Sequence, residues 1–98
     1  MTIAFCLLRG PRAESAHTVR ELAGAALDKG HEVTVFLAGD GTTHADSFET
    51  VRGRGARVVS CSADAAVRGW DRPGTPGRGS FVDLGEMVAS ADRVLVFG

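Results

Sequence analysis

The sequence predicts an α/β domain built as a three-layer, mostly parallel four-stranded sheet with helices on both faces. Three observations carry this. Apolar runs rich in β-branched and aromatic residues recur at 3–8, 32–38, 57–60 and 94–97. Stretches with helical spacing fall between them, and Gly or Pro marks the junctions. Strands alternating with helices imply right-handed crossovers, hence a parallel sheet, and the expected strand order is flavodoxin-like, 2-1-3-4.

The first run, residues 3–8, is continuously apolar, the pattern of a central strand covered on both faces, and it stops at the turn signal Arg9-Gly10-Pro11. From Ser15, the expected N-cap, Ala16, Val19, Leu22, Ala23, Ala26 and Leu27 repeat at helical spacing, with Arg20, Glu21 and Asp28 on the other side. Gly30 is placed to end that helix as its C′ residue. Val33, Val35, Phe36 and Leu37 form the second strand, which runs into Gly39-Asp40-Gly41-Thr42-Thr43. Residues 45–53 are a weaker helical stretch with Phe48 and Val51 as its buried positions, and Gly53 and Gly55 break it before the third strand at 57–60.

Cys61 follows that strand at once, and residues 62–68 suit a helix starting at or just after it. Residues 69–79, rich in Gly, Pro and Arg and holding Trp70, read as the longest loop, without regular structure and serving as a lid, a docking segment or a merely mobile stretch. Ser80 caps a helix carrying Val82, Leu84, Met87 and Val88, and residues 94–97 make the last strand. Residues 1–98 are expected to be one domain, burying roughly 60–70% of the surface of the unfolded chain.

With 11 Lys and Arg against 12 Asp and Glu, the chain offers no positive field for nucleic acid. The apolar stretch at the N-terminus ends at Arg9, too short for a signal peptide or membrane span, so a cytoplasmic location with free thiols is expected. The two cysteines, with no CxxC and no Cys/His cluster, predict neither a structural metal nor a cofactor.

In sheets of this kind, reactive groups gather beyond the carboxyl ends of the strands, and Cys61 is there. At a helix start its sulfur would meet unsatisfied N–H groups, those of Ser62 and Ala63 first, which favour a thiolate or another sulfur anion. Arg68 is a further candidate for stabilising that anion, while Asp64 opposes it. The competing reading makes Cys61 a small packed residue, since free cysteine is commonly buried. Cys6 lies inside the first strand and is expected in the core. His17, His31 and His44 have nothing placing them near Cys61 and receive no role. The glycines at 39 and 41 could cradle an anion, but they form neither GxGxxG nor a P-loop.

The segment Val58-Val59-Ser60-Cys61-Ser62-Ala63-Asp64-Ala65-Ala66-Val67-Arg68-Gly69 resembles the signature of the DsrE/DsrF-like family of TusD/DsrE-type sulfur-relay proteins. The opening strand, the step from Lys29 to Leu37 and the closing stretch from Ala91 to Phe97 are similar to that family as well. The chain is shorter than the better-known members between its second and third strands. The resemblance implies a DsrE-like domain in which Cys61 takes sulfane sulfur from a donor protein as a persulfide and passes it to an acceptor protein. A homo- or hetero-oligomer is expected on a separate ground, because so small a layered domain leaves apolar surface to cover. Two alternatives stay open: a non-catalytic subunit whose cysteine is incidental, and a small flavodoxin-like binder of nucleotide or flavin.

Overall fold

Thr2–Leu7 forms strand β1, and its residues Ala4, Phe5, Cys6 and Leu7 are buried, as the unbroken apolar run requires of a strand covered on both sides. The computed structural model describes residues 1–8, 14–69 and 77–98, with the main chain alone at 44 and 45. The turn at residues 9–11 and Trp70 lie outside the described residues.

Helix α1, Glu14–Asp28, follows, then β2, Glu32–Leu37. The chain continues through a 3-10 segment, Gly39–Phe48, and α2, Glu49–Gly53, to β3, Arg57–Cys61. Helix α3, Ser62–Val67, strand β4, Arg78–Gly79, helix α4, Phe81–Ser90, and strand β5, Arg93–Phe97, complete it. All strand pairs are parallel, in the order β4-β3-β2-β1-β5. Among the described residues no helix is long and apolar enough to cross a membrane.

The parallel α/β class is therefore as expected, with β1 internal, but the sheet has five strands and the order 2-1-3-4 does not hold: β3 lies beside β2, and the last strand lies beside β1. The packing explains why. Phe48 and Val51 join Ala16, Val19, Ala23 and Ala26 of α1 in one core layer, against Phe5, Leu7, Val33, Val35, Leu37 and Val58. Two successive right-handed crossovers on the same face must carry the chain in one direction, so β1, β2 and β3 stand in line. Helix α4 crosses the other face, where Met87 packs with Cys6, Phe36, Ala38, Val59 and Cys61. That crossover returns the chain to the far side of β1, where β5 docks.

The unexpected strand lies in the segment read as irregular. Gly79 pairs with Cys61 in β4, and a Cβ there would collide with Val59 Cγ1 and come within 2.6 Å of the Asp83 carboxylate. Glycine is what allows this return segment to press against β3, so the composition that argued against regular structure permits a short strand.

Helix ends follow local chemistry. Gly30, at φ 81°, closes α1 in a Schellman motif: His31 N–H donates to Ala26 O at 3.0 Å and Gly30 N–H to Leu27 O at 3.0 Å. Ser80 caps α4 with a capping box, its hydroxyl accepting from Val82 N–H at 3.2 Å while Asp83 accepts from Ser80 N–H at 2.8 Å. Ser15 is not the N-cap expected of it. Helix α1 already includes Glu14, and the buried Ser15 hydroxyl has no hydrogen-bond partner among the described residues.

Candidate functional site around Cys61

Val58 and Val59 hold β3 in the sheet core, and the small residues that follow let the chain turn into a helix without a gap. Cys61 is both the last residue of β3 and the N-cap of α3, with extended φ and ψ of −66° and 111°. The main-chain N–H groups that open α3, beginning with Ser62 and Ala63, are those a helix leaves without internal partners. Ser62 is half-buried and Ala63 exposed. The Cys61 thiol makes no capping hydrogen bond to them. Helix α3 spans only six residues, and Gly69, at φ 73°, lies just beyond its C-cap Arg68.

The thiol is covered. Cys61 is 1% exposed, packed in the layer of Phe36, Ala38, Val59 and Met87, with Leu84 at its margin. Phe81, the first residue of α4, meets Phe36 in a tilted ring contact, 5.9 Å between centroids and 38° between planes. Cys6 belongs to the same layer, as expected of a core cysteine, and burial pushes its thiol pKa up. The two cysteines are not poised to bridge. Cys6 is level with Phe36 and Phe36 with Val59, so Cys61 stands two strands and two residues away. That offset is about 11–12 Å between Cα atoms from standard sheet spacings, well beyond disulfide reach.

A set of polar contacts ties α3 to the exit of β2 next to Cys61, and sequence reading missed most of it. Asp64, one turn into α3, accepts from Gly39 N–H at 2.7 Å. Its carboxylate is thus committed to the 3-10 segment that leaves β2. Arg68 donates from Nε to Asp40 at 2.6 Å and from Nη1 to Asp64 O at 3.0 Å. These contacts bring Arg68 and Asp64 to the same junction, binding α3 to residues 39–40. The Arg68–Asp40 pair is largely exposed on its acidic side and is worth about 0–1 kcal/mol. The run Gly39-Asp40-Gly41 was visible as an anion cradle, but its neighbour is a carboxylate acceptor. Gly41 is there for closeness, since a Cβ would collide with the main-chain oxygen of Leu7.

The described histidine side chains stand apart. His17 is exposed on α1, and His31 Nδ1 lies 3.3 Å from the N-terminal amine, at the amino end of the strands. Among the described residues no group of three His, Cys, Asp or Glu could hold a metal ion. Two open surface grooves, one between α1 and α2 and one by His31 and Arg57, do not include Cys61.

The fold and the placement of this cysteine define a layered α/β protein with a thiol at the carboxyl edge of its sheet. Residues 1–97 match the DsrE/DsrF-like family, and the chain belongs to it. The crystal structure of the ychN protein from E. coli has the same fold, with a TM-score of 0.86 at 23% sequence identity, covering 99% of each chain. No match is found among the curated proteins. Membership of the family points to sulfur relay with partner proteins in general terms.

Proposed function

We propose that the chain is a sulfur carrier that holds sulfane sulfur as a persulfide on Cys61. Supporting this, above all, is the position of Cys61 as the residue joining β3 to α3, in a chain of the DsrE/DsrF-like family. In the loading step the Cys61 thiolate attacks the terminal sulfur of a donor persulfide. The donor's S–S bond breaks, its thiolate leaves, and a new S–S bond forms on Cys61 with no external oxidant. Discharge repeats the exchange: an acceptor thiolate takes the terminal sulfur and Cys61 is released as thiolate.

In this reading the opening N–H groups of α3, those of Ser62 and Ala63, face the anionic sulfur with their partial positive charge. Arg68 supports the anion through its hold on Asp40 and the Asp64 carbonyl, which fixes the helix start. Cys6 is too distant to accept the sulfur, so the acceptor is a second molecule. Donor and acceptor are proteins in the cytoplasm, and the chain works as an oligomer, consistent with the apolar side chains exposed on α4 and β5.

The deep cover over Cys61 favours a second reading, a non-catalytic subunit in which the cysteine is only packing. Cyanolysis separates the two. After incubation with a persulfide donor and removal of excess, the carrier releases close to one thiocyanate per chain on adding cyanide, and Cys61→Ser releases none. An equal yield from Cys61→Ser, or none from the folded native chain, overturns the carrier reading.

A further inference from the structure

Cys61 cannot react from the position it holds. Its side chain is 1% exposed, and attack on a persulfide needs the sulfur to meet an incoming S–S bond. The element over this face is α4, and it is held unevenly along its length.

The second half of α4 is anchored. Met87 is buried in the layer of Cys6, Phe36 and Cys61. Just past the helix, Asp92 N–H donates to Thr2 O at 2.8 Å and Thr2 N–H donates to the Asp92 carboxylate at 2.7 Å. The first turn, Phe81–Leu84, is held lightly. Helix α4 starts after Gly79 and Ser80, and Gly79 is the register partner of Cys61, so this turn stands at the carboxyl edge of the sheet on the thiol's side. Phe81 is 59% exposed and meets Phe36 alone, Leu84 packs at the margin of the layer, and the Asp83–Arg57 pair, at 3.3 Å and partly exposed, contributes little. The capping box ties Ser80 to Val82 and Asp83, so the turn and its cap form one piece that does not fray from the end.

Gly85 stands between the two halves. Its φ is not positive, and a Cβ there would meet nothing within 4 Å among the described residues, so neither a turn nor a close approach calls for glycine. What glycine supplies here is a weak point. Inside a helix it is the least favourable residue after proline, and small residues commonly absorb the backbone change at a hinge.

We infer that Gly85 is a hinge on which the first turn of α4, carrying Phe81, swings off Cys61, and that the thiol reacts in this open state. Opening separates only the Phe81–Phe36 contact, the margin at Leu84 and the Asp83–Arg57 pair, and it leaves Met87 and the sheet in place. It therefore belongs to the low-energy end of local opening. Between transfers the closed turn keeps water and other thiols from the sulfur. The use of this motion rests on the carrier reading, whereas the motion itself is measured without a sulfur donor.

Alkylation by iodoacetamide, followed by mass mapping of the two cysteine peptides, reads the opening. In the native chain Cys61 is expected to react about tenfold or more faster than Cys6, which shares the layer two strands away, whereas unfolding of the whole chain would expose both alike. Gly85→Ala is expected to raise the melting temperature and yet slow Cys61 by up to about fivefold, the helix preference of alanine over glycine expressed as an equilibrium constant. Phe81→Ala is expected to speed Cys61 several-fold. A Gly85→Ala chain whose Cys61 reacts at the native rate overturns the hinge, as does equal modification of both cysteines. A chain that opens in the expected pattern but takes no sulfur from a persulfide donor contradicts the carrier reading and leaves the hinge standing. Sulfur loading at one rate in the native and Gly85→Ala chains contradicts the hinge and leaves the carrier standing.

Discussion

The main-chain N–H of Gly39 donates to the carboxylate of Asp64 at 2.7 Å, joining the exit of β2 to the first turn of α3 three residues beyond Cys61. The contact is part-buried and involves a charged acceptor, the kind that contributes most per bond. It fixes where the helix begins, and therefore where the sulfur of its N-cap residue sits.

Replacing Asp64 with Ala is accordingly expected to cost about 1–3 kcal/mol in urea unfolding, the range for a charged hydrogen bond lost with its partner left unsatisfied. Asp64→Asn keeps an oxygen acceptor and is expected to recover part of that loss. Alkylation of Cys61 by iodoacetamide is expected to speed up in Asp64→Ala, as the helix start loosens, and to stay near native in Asp64→Asn. Equal stability of all three proteins would show that the contact does not hold α3.

The two glycines at positions 41 and 53 are expected to respond oppositely to alanine. A methyl at Gly41 runs into the Leu7 carbonyl, main chain against main chain, so Gly41→Ala is expected to lose about 1–3 kcal/mol or more. At Gly53, the last residue of α2, a methyl meets nothing within 4 Å, and Gly53→Ala is expected to be neutral or to gain up to about 1 kcal/mol. Thermal melts of the pair check both signs.

Much of this arrangement could be read from the sequence, for reasons visible residue by residue. The apolar run of β1, the helical spacing of α1 and the signals at Gly30 and Ser80 are local and match the fold, except that Leu8 and Leu22, read with the buried positions, are exposed. Cys61 at the junction of β3 and α3 was legible for the same reason. Strand order was not, because it depends on which face Phe48 and Val51 choose, and nothing near them in sequence declares that. Nor was β4, whose two residues depend on glycine fitting against Val59 at long range. The Asp64–Gly39 and Arg68–Asp40 contacts span 25 and 28 residues, and composition gives no sign of them.

Stability is expected to fall in alkali through Cys6. Burial raises its thiol pKa in the folded chain, so between the unfolded value, about 8.5, and the higher folded value the unfolded chain has lost a proton that the folded chain keeps. The stabilisation is whole below about pH 8.5 and declines as pH rises, by at most about 1.4 kcal/mol per unit. Cys6→Ala, though less stable at pH 7 for its lost packing, is expected to show a shallower decline from pH 8 to 10 in denaturant titrations. Parallel declines in the two proteins would remove Cys6 as the cause.

The decisive measurement is the intact mass of the reduced, purified chain after incubation with a persulfide donor, with Cys6→Ala and Cys61→Ser treated alongside. A gain of one or more sulfur atoms in the native chain and in Cys6→Ala, absent from Cys61→Ser and reversed by a reductant, is the expected result. No gain in a native chain that remains folded, or a gain that survives in Cys61→Ser, would contradict a carrier working through Cys61.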